Sequence, residues 1–378
     1  MDRARTVSKL VRNALRYRLL KFTGRPGRLE AISLEITHRC ICRCRMCNIW
    51  KIPQEVSDLP LSDWTNLLSS AEFRGLKELD ITGGEPFLRE DLVDLLKWIC
   101  RSQPASFPGL RTVAITTNGL LTDRILEIVG KIAVPFRERG IDLVLACGMD
   151  AIGEVHDQIR NVNGAWKRLN STIIGLKELR EKHPNLILGI KTTIVPANVH
   201  ELLRISSFAS EQGLFTIISP CIITSNRFGN TALKDDLQFS PEGLQAISRF
   251  YASPLFAWDI HRQSMIRYLK TGEANKPCSA GFNTAFVRHT GEVFPCPLIP
   301  AALGNIKKSN IKQLLSGLPA TRFRKWIGNY PECKVCTEPG LERIAWPYEG
   351  FACLRRLLRM GFNDLEQLKR HMGLDKYM

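Results

Sequence analysis

Nowhere in the 378 residues do roughly 18 apolar residues run together, the length that a membrane-crossing helix needs. The N-terminus also lacks the uninterrupted apolar core of a secretion signal, because Lys and Arg break it up throughout. These two absences point to a cytoplasmic protein. In a reducing cytoplasm, 12 cysteines are metal ligands or catalytic thiols more readily than disulfides. Acidic side chains are the other shortage, with 37 Asp and Glu against 53 Lys and Arg and a net charge of +16. Such an excess invites a polyanion, but much of it sits in residues 1–28, where Asp2 is the one acid, and the rest is scattered, which weighs against nucleic acid as the partner. What is left is an ordinary globular composition, 44% hydrophobic and 24% charged, long enough for one large domain with an appendage.

Residues 6–22 set Val7, Leu10, Val11, Ala14, Leu15 and Leu19 near helical spacing with Arg and Lys between them, the pattern of a basic amphipathic helix. It ends at Gly24-Arg25-Pro26-Gly27. Its apolar stripe either packs on the main body or lies on an anionic membrane. From residue 31, short apolar runs alternate with longer amphipathic segments, the signature of βα units around a parallel sheet. Strands are expected at 31–36, 76–81, 111–116, 141–147, 186–194 and 214–219, and helices at 62–71, 91–101, 122–131, 166–182 and 199–212. Six such units make an α/β fold, a partial (β/α)6 TIM-type barrel whose chemistry gathers at the carboxyl ends of the strands. A helical stretch follows over 241–270, and from Pro277 onward short segments carry five of the 12 cysteines, as in a small metal-stapled domain. The expected divisions are an N-terminal helix in 1–28, the barrel in 29–235, a helical connector in 236–270, a cysteine-rich domain in 271–360 and a helical tail in 361–378.

Just after the first strand come Cys40, Cys44 and Cys47, with Cys42 between them. Thiolates at offsets of four and three can wrap one inorganic cluster, and three of them leave one iron without a protein ligand. A zinc site using Cys44 and Cys47, or a Cys-x-x-Cys redox pair, is the alternative. The strand ends downstream read Thr82-Gly83-Gly84-Glu85-Pro86, then Thr116-Thr117-Asn118-Gly119, then Gly148-Met149-Asp150 with His156-Asp157-Gln158-Ile159-Arg160 beyond it, and Lys191-Thr192-Thr193-Ile194. Together these resemble the radical S-adenosylmethionine (SAM) superfamily, from its C-x3-C-x2-C motif through its GGEP turn to the end of its fifth strand. The resemblance implies that Cys40, Cys44 and Cys47 hold a 4Fe-4S cluster, with Cys42 a bystander. It implies that Gly83, Gly84 and Glu85 meet the SAM ammonium and that Met46 packs on the adenine. Asn118 belongs to the family's T-x-N-G turn. Gly148 stands where the family carries serine, which leaves Asp150 for the ribose, while Arg160 clamps the carboxylate. Backbone near Ile194 would meet the adenine.

Downstream, Cys278, Cys296, Cys333 and Cys336 could close either a cluster or a zinc tetrahedron. The spacing C-x12-G-x4-C followed by Cys-x-x-Cys resembles the SPASM or twitch extension, which implies a second, auxiliary 4Fe-4S cluster on those four thiols, with Cys353 a spare or alternative ligand. Cys100 and Cys147 read as buried residues, and Cys221, after strand six, as a candidate reactive thiol. The implied reaction is reductive cleavage of SAM to a 5′-deoxyadenosyl radical that takes hydrogen from a substrate, with electrons from a donor such as ferredoxin or flavodoxin. A peptide or protein side chain is the first expectation for the substrate, although no separate leader-binding domain stands at the N-terminus. A lipid or sugar-type small molecule is the second, and a non-catalytic, nucleic-acid-binding metal protein is the alternative from another class.

Overall fold

The computed structural model describes residues 3–256, 258–360, 373–374 and 376–377. The chain opens with helix α1 (Arg3–Thr23), and six parallel strands then build the barrel wall: β1 (Ala31–Thr37), β2 (Glu78–Gly83), β3 (Thr112–Thr117), β4 (Asp142–Gly148), β5 (Leu186–Ile194) and β6 (Phe215–Pro220). Between them run α2 (Leu61–Leu68), α3 (Leu92–Ser106), α4 (Thr122–Glu138), α5 (Glu154–Arg160), α6 (Ala165–Lys182) and α7 (Leu202–Glu211). Every expected strand is found within two residues of its expected ends. The short helix α5 was not foreseen. The expected helix over 241–270 is instead two helices, α8 (Pro241–Ala252) and α9 (Asp259–Thr271). Ser253 precedes Pro254 and is extended, because the proline ring excludes the helical conformation from the residue before it.

Beyond α9 the chain returns to the sheet. Strand β7 (Thr284–Val287) pairs parallel with β1, and β8 (Glu292–Phe294) and β9 (Gly304–Asn305) follow antiparallel, so one nine-stranded sheet runs in the order β6-β5-β4-β3-β2-β1-β7-β8-β9. The cysteine-rich region is therefore hydrogen-bonded to the edge of the barrel. Five helices complete it: α10 (Ile311–Ser316), α11 (Leu318–Trp326), α12 (Pro331–Lys334), α13 (Pro339–Glu349) and α14 (Phe351–Met360). Most of the helical tail expected over 361–378 lies outside the described residues.

Strand register stacks the inward-facing side chains in layers. Ala31, Glu78, Thr112 and Asp142 are in register at the bottom, with Ser33, Asp80, Ala114, Val144 and Ile187 one layer above. The bottom is closed by a charge cluster, in which the Glu78 carboxylate meets Arg343 of α13, Lys376 Nζ at 2.8 Å and the Tyr377 hydroxyl at 3.1 Å. Among the described residues no helix is long and apolar enough to cross a membrane. The apolar residues of α1 divide between two faces. Leu10, Ala14 and Tyr17 are buried, whereas Leu15, Leu19 and Phe22 are 61%, 63% and 83% exposed.

Candidate functional site

The loop after β1 is held by its neighbours. Arg43 N–H donates to the Arg160 carbonyl, Arg45 N–H to that of Ile159 and Asn48 N–H to that of Phe228. At its start, Asp58 accepts from Thr37 Oγ1 at 2.6 Å and pairs with His38 Nδ1 at 2.9 Å, with His289 Nδ1 3.2 Å away. So fixed, the loop turns Cys40, Cys44 and Cys47 onto one cavity of about 170 Å3. A hydrogen bond from the Cys42 thiol, assisted by Arg160 and opposed by burial, brings Cys44 down to about 7. Cys42 is pushed the other way, chiefly because both neighbouring sulfurs hold its proton, so it remains a thiol. Three soft sulfur donors on one cavity, backed by a guanidinium and open on the opposite side, fit a 4Fe-4S cluster with one iron exposed.

The open side is built from the other strand ends. Gly83 and Gly84 line it, and both must be glycine, because a Cβ at either would stand 2.2 Å from a loop carbonyl, that of Thr37 or of Arg39. Glu85 does not line the cavity. It is fully buried, and its carboxylate accepts from Phe87 N–H, Thr117 Oγ1 and Asn118 N–H at 3.1, 2.9 and 2.7 Å, so it sets the neighbouring turn. Burial pushes its carboxyl up to about 7 against those bonds. Asn118 lines the cavity with its amide 3.9 Å from Cys40 Sγ.

Arg160 lines the cavity, donating to Cys44 Sγ at 3.9 Å and pairing with Asp150 at 2.8 Å. Asp150 stands behind it, fully buried, and also accepts from Thr193 N–H at 2.9 Å. Its carboxylate is thus spent on the protein. The absent serine at 148 is explained by the same pair, since a Cβ there would lie 2.5 Å from Arg160 Nη2. The guanidinium occupies the space of the missing side chain. Met46 and Cys221 line the cavity, Cys221 with its thiol pushed up to about 12 by burial. Ile194 is fully buried with its carbonyl accepting from Cys221 N–H, and Thr193 is the residue of that turn that faces the cavity.

The second cysteine set is gathered by the cysteine-rich region. Cys278, Cys296, Cys333 and Cys336 line one cavity of about 820 Å3, with Tyr17 of α1 donating from its hydroxyl to the Cys278 carbonyl at 2.7 Å. Four thiols on one cavity fit a fully ligated cluster. Cys353 is fully buried within the main apolar core and does not line that cavity.

Between the two sets lies a chamber of about 260 Å3 that the motifs did not reveal. Its walls include Val144, Ile187, Phe215, Ile217, Trp258 and Phe286, and its floor is the Glu78, Arg343 and Lys376 cluster. Pro295 and Pro297, flanking Cys296, form part of the wall. Lys191, Arg227 and Glu338 border both this chamber and the cavity of Cys40, Cys44 and Cys47. Burial by itself would raise the Glu338 carboxyl, but Lys191, the Gly340 amide, Lys276 and Arg227 together hold it below the usual range. One signal was available in the sequence. Parallel strands buried on both faces read as continuous apolar runs, yet Ser33, Asp80 and Lys191 interrupt theirs at alternate positions.

A barrel with three thiols at its mouth and four more beside it defines a class. Residues 34–198 match the radical SAM superfamily and residues 278–337 match the SPASM iron-sulfur cluster-binding domain, so the chain belongs to the radical SAM enzymes that carry a SPASM domain. It is 23% identical over 326 residues to the AdoMet-dependent heme synthase of Methanosarcina barkeri, covering 78% of this chain and 83% of that protein. It is 36% identical over 176 residues to the PqqA peptide cyclase of Bradyrhizobium diazoefficiens, covering 46% of this chain and 41% of the relative. Among solved structures, Streptococcus suis SuiB bound to S-adenosylmethionine superposes with a TM-score of 0.57 at 14% identity, over 85% of this chain and 75% of SuiB. That likeness establishes the fold. These domains carry 4Fe-4S clusters, and SAM is the co-substrate.

Proposed function

We propose that this enzyme removes hydrogen from a peptide or protein side chain, with Cys40, Cys44 and Cys47 as the site of SAM cleavage and Cys278, Cys296, Cys333 and Cys336 holding an auxiliary cluster. The observation that carries this reading is the chamber between the two cysteine sets, of side-chain rather than whole-lipid size. The PqqA peptide cyclase, which acts on a peptide by its name, supports the substrate class. When bound, the cluster and SAM supply the 5′-deoxyadenosyl radical that accepts the hydrogen atom.

The chain's own residues orient and enclose. Glu85 fixes the Thr117–Asn118 turn, Asp150 holds Arg160 against the thiols, and the buried walls keep water from the reacting carbon. The excess of positive charge suits an acidic electron donor of the ferredoxin or flavodoxin kind. Anaerobic reconstitution tests the reading. About eight iron per chain, 5′-deoxyadenosine on reduction and hydrogen loss from an added peptide substrate are expected. Zinc in place of iron, or reduction without SAM cleavage, would refute it.

A second reading concerns α1. Val11, Leu15 and Leu19 form an exposed groove with Arg12 and Arg16, an apolar strip flanked by cations that complements an anionic membrane surface. Sedimentation with vesicles of phosphatidylserine, but not with neutral ones, and its loss in Leu15→Ser/Leu19→Ser, are the expected outcomes.

A further inference from the structure

The junction between the chamber and the SAM cavity holds opposite charges that do not pair. Among the described residues, the Lys191 ammonium makes no hydrogen bond or ion pair at contact distance, although it is the strongest attraction holding the Glu338 carboxyl down. Arg227 donates through Nη2 to Thr82 Oγ1 at 2.8 Å, while its buried Nε has no partner. The Glu338 carboxylate takes the Gly340 amide at 2.9 Å and forms no salt bridge with either cation. Asp80, two layers lower, is bonded to Ser33 at 2.6 Å, and burial raises its carboxyl above the usual range, which weakens it as a counter-charge. Cations with unspent donors inside a protein are costly unless an anion reaches them.

No carboxylate of the described residues lies within ion-pair distance of Lys191 or Arg227, Glu338 and Glu35 acting on them only from farther away, so an anion that closes on them comes from outside the chain. It is not readily the SAM carboxylate either, since Arg160 stands on the cavity beside Cys44, whereas Lys191 is two residues further down β5 than Thr193 and borders the chamber as well. The chamber's lining joins apolar Ile217, Phe215, Trp258 and Phe286 to polar Ser33, Asp80, Thr112 and Asp142, with the Arg227 guanidinium 5.3 Å over the Phe286 ring.

We infer that Lys191 and Arg227 form a seat for a substrate carboxylate, so that the enzyme selects an anionic side chain and holds its acidic end at the boundary between the SAM cavity and the chamber. This rests on the chamber's being the substrate site. Seated there, the carboxylate is fixed at the boundary of the SAM cavity, which places the carbons of that side chain beside it. Glu338, on the same boundary, repels a second anion and restricts the seat to one carboxylate.

The test uses the reconstituted enzyme and three capped tripeptides, acetyl-Ala-X-Ala-amide with X as Glu, Gln or Lys. Each is titrated, with S-adenosylhomocysteine in place of SAM so that nothing is cleaved, while paramagnetic broadening of its proton resonances by the reduced clusters is followed by NMR; binding near either cluster registers, and the Lys191 variants assign it to the seat. The Glu peptide should bind about ten-fold or more tightly than the Gln peptide, the ratio expected for a charge-assisted hydrogen bond, and the Lys peptide should not bind. Lys191→Met should erase the preference, Lys191→Arg should keep it, and Lys191→Glu should transfer it to the Lys peptide. Equal broadening by the Glu and Gln peptides of the unaltered enzyme overturns the inference with no variant needed, as does an unchanged preference in Lys191→Glu at full iron content. If the preference is absent while 5′-deoxyadenosine still forms from SAM, the seat fails and the radical chemistry stands. If the preference is present without SAM cleavage, the reverse holds.

Discussion

Glu78 at the barrel floor offers the cleanest measure of how the cysteine-rich region is fastened to the barrel. Burial alone would raise its carboxyl, but Arg343 and Lys376 outweigh burial and bring it down to about 2 from the usual 4.5. A carboxylate depressed in the folded state contributes stability that is fully present above its unfolded pKa and is lost as pH falls toward the folded one. The window is therefore pH 4.5 down to about 2. A shift of roughly 2.5 units corresponds to about 3 kcal/mol, and the side chain is only 9% exposed, so little of this is lost to solvent screening. Glu78→Gln mimics the protonated form and should cost about that amount at pH 7, shrinking to about 1.5 kcal/mol at pH 3. Urea unfolding followed by far-UV circular dichroism, with enzyme and variant compared at each pH, reads the difference. Acid loss of the clusters is common to both and drops out. A penalty below about 1 kcal/mol at pH 7, or one that persists undiminished at pH 3, would show that the floor is not held by this charge.

Removing Arg160 as Arg160→Met strands the fully buried Asp150 and should cost about 3–5 kcal/mol, most of it recovered in the double variant with Asp150→Asn, as melting temperatures would show. Gly84→Ala places a Cβ against the Arg39 carbonyl and should displace the cysteine loop, halving the iron content while the cluster on Cys278, Cys296, Cys333 and Cys336 is retained in the electron paramagnetic resonance spectrum. Gly148→Ser should lose SAM binding measured by equilibrium dialysis, because the new side chain collides with Arg160. Cys353→Ser should leave iron at the unaltered level, whereas Cys296→Ser should lower it; equal iron in both variants would remove Cys296 from the ligand set.

The sequence by itself determined whatever depends on neighbours along the chain. Period and punctuation placed six strands to within two residues, and Cys40, Cys44 and Cys47 were legible as a set because they share one short loop after the first strand. The four downstream cysteines were legible as a set, but their spacing did not separate Cys353, which proves to lie in the main core. Only the tertiary structure decided which motif residues face the cavity. Asp150 and Glu85 carry acidic side chains beside it yet spend them on Arg160 and on the Thr117–Asn118 turn, a distinction that depends on the rotation of each strand end and leaves no trace in spacing. It also decided that β7 extends the barrel sheet and that α1 has two apolar faces rather than one. Lys191, Arg227 and Glu338 come from β5, from the loop after β6 and from the segment beyond Cys336, and a pocket assembled from segments that far apart exists only once the sheet has curved to bring them together.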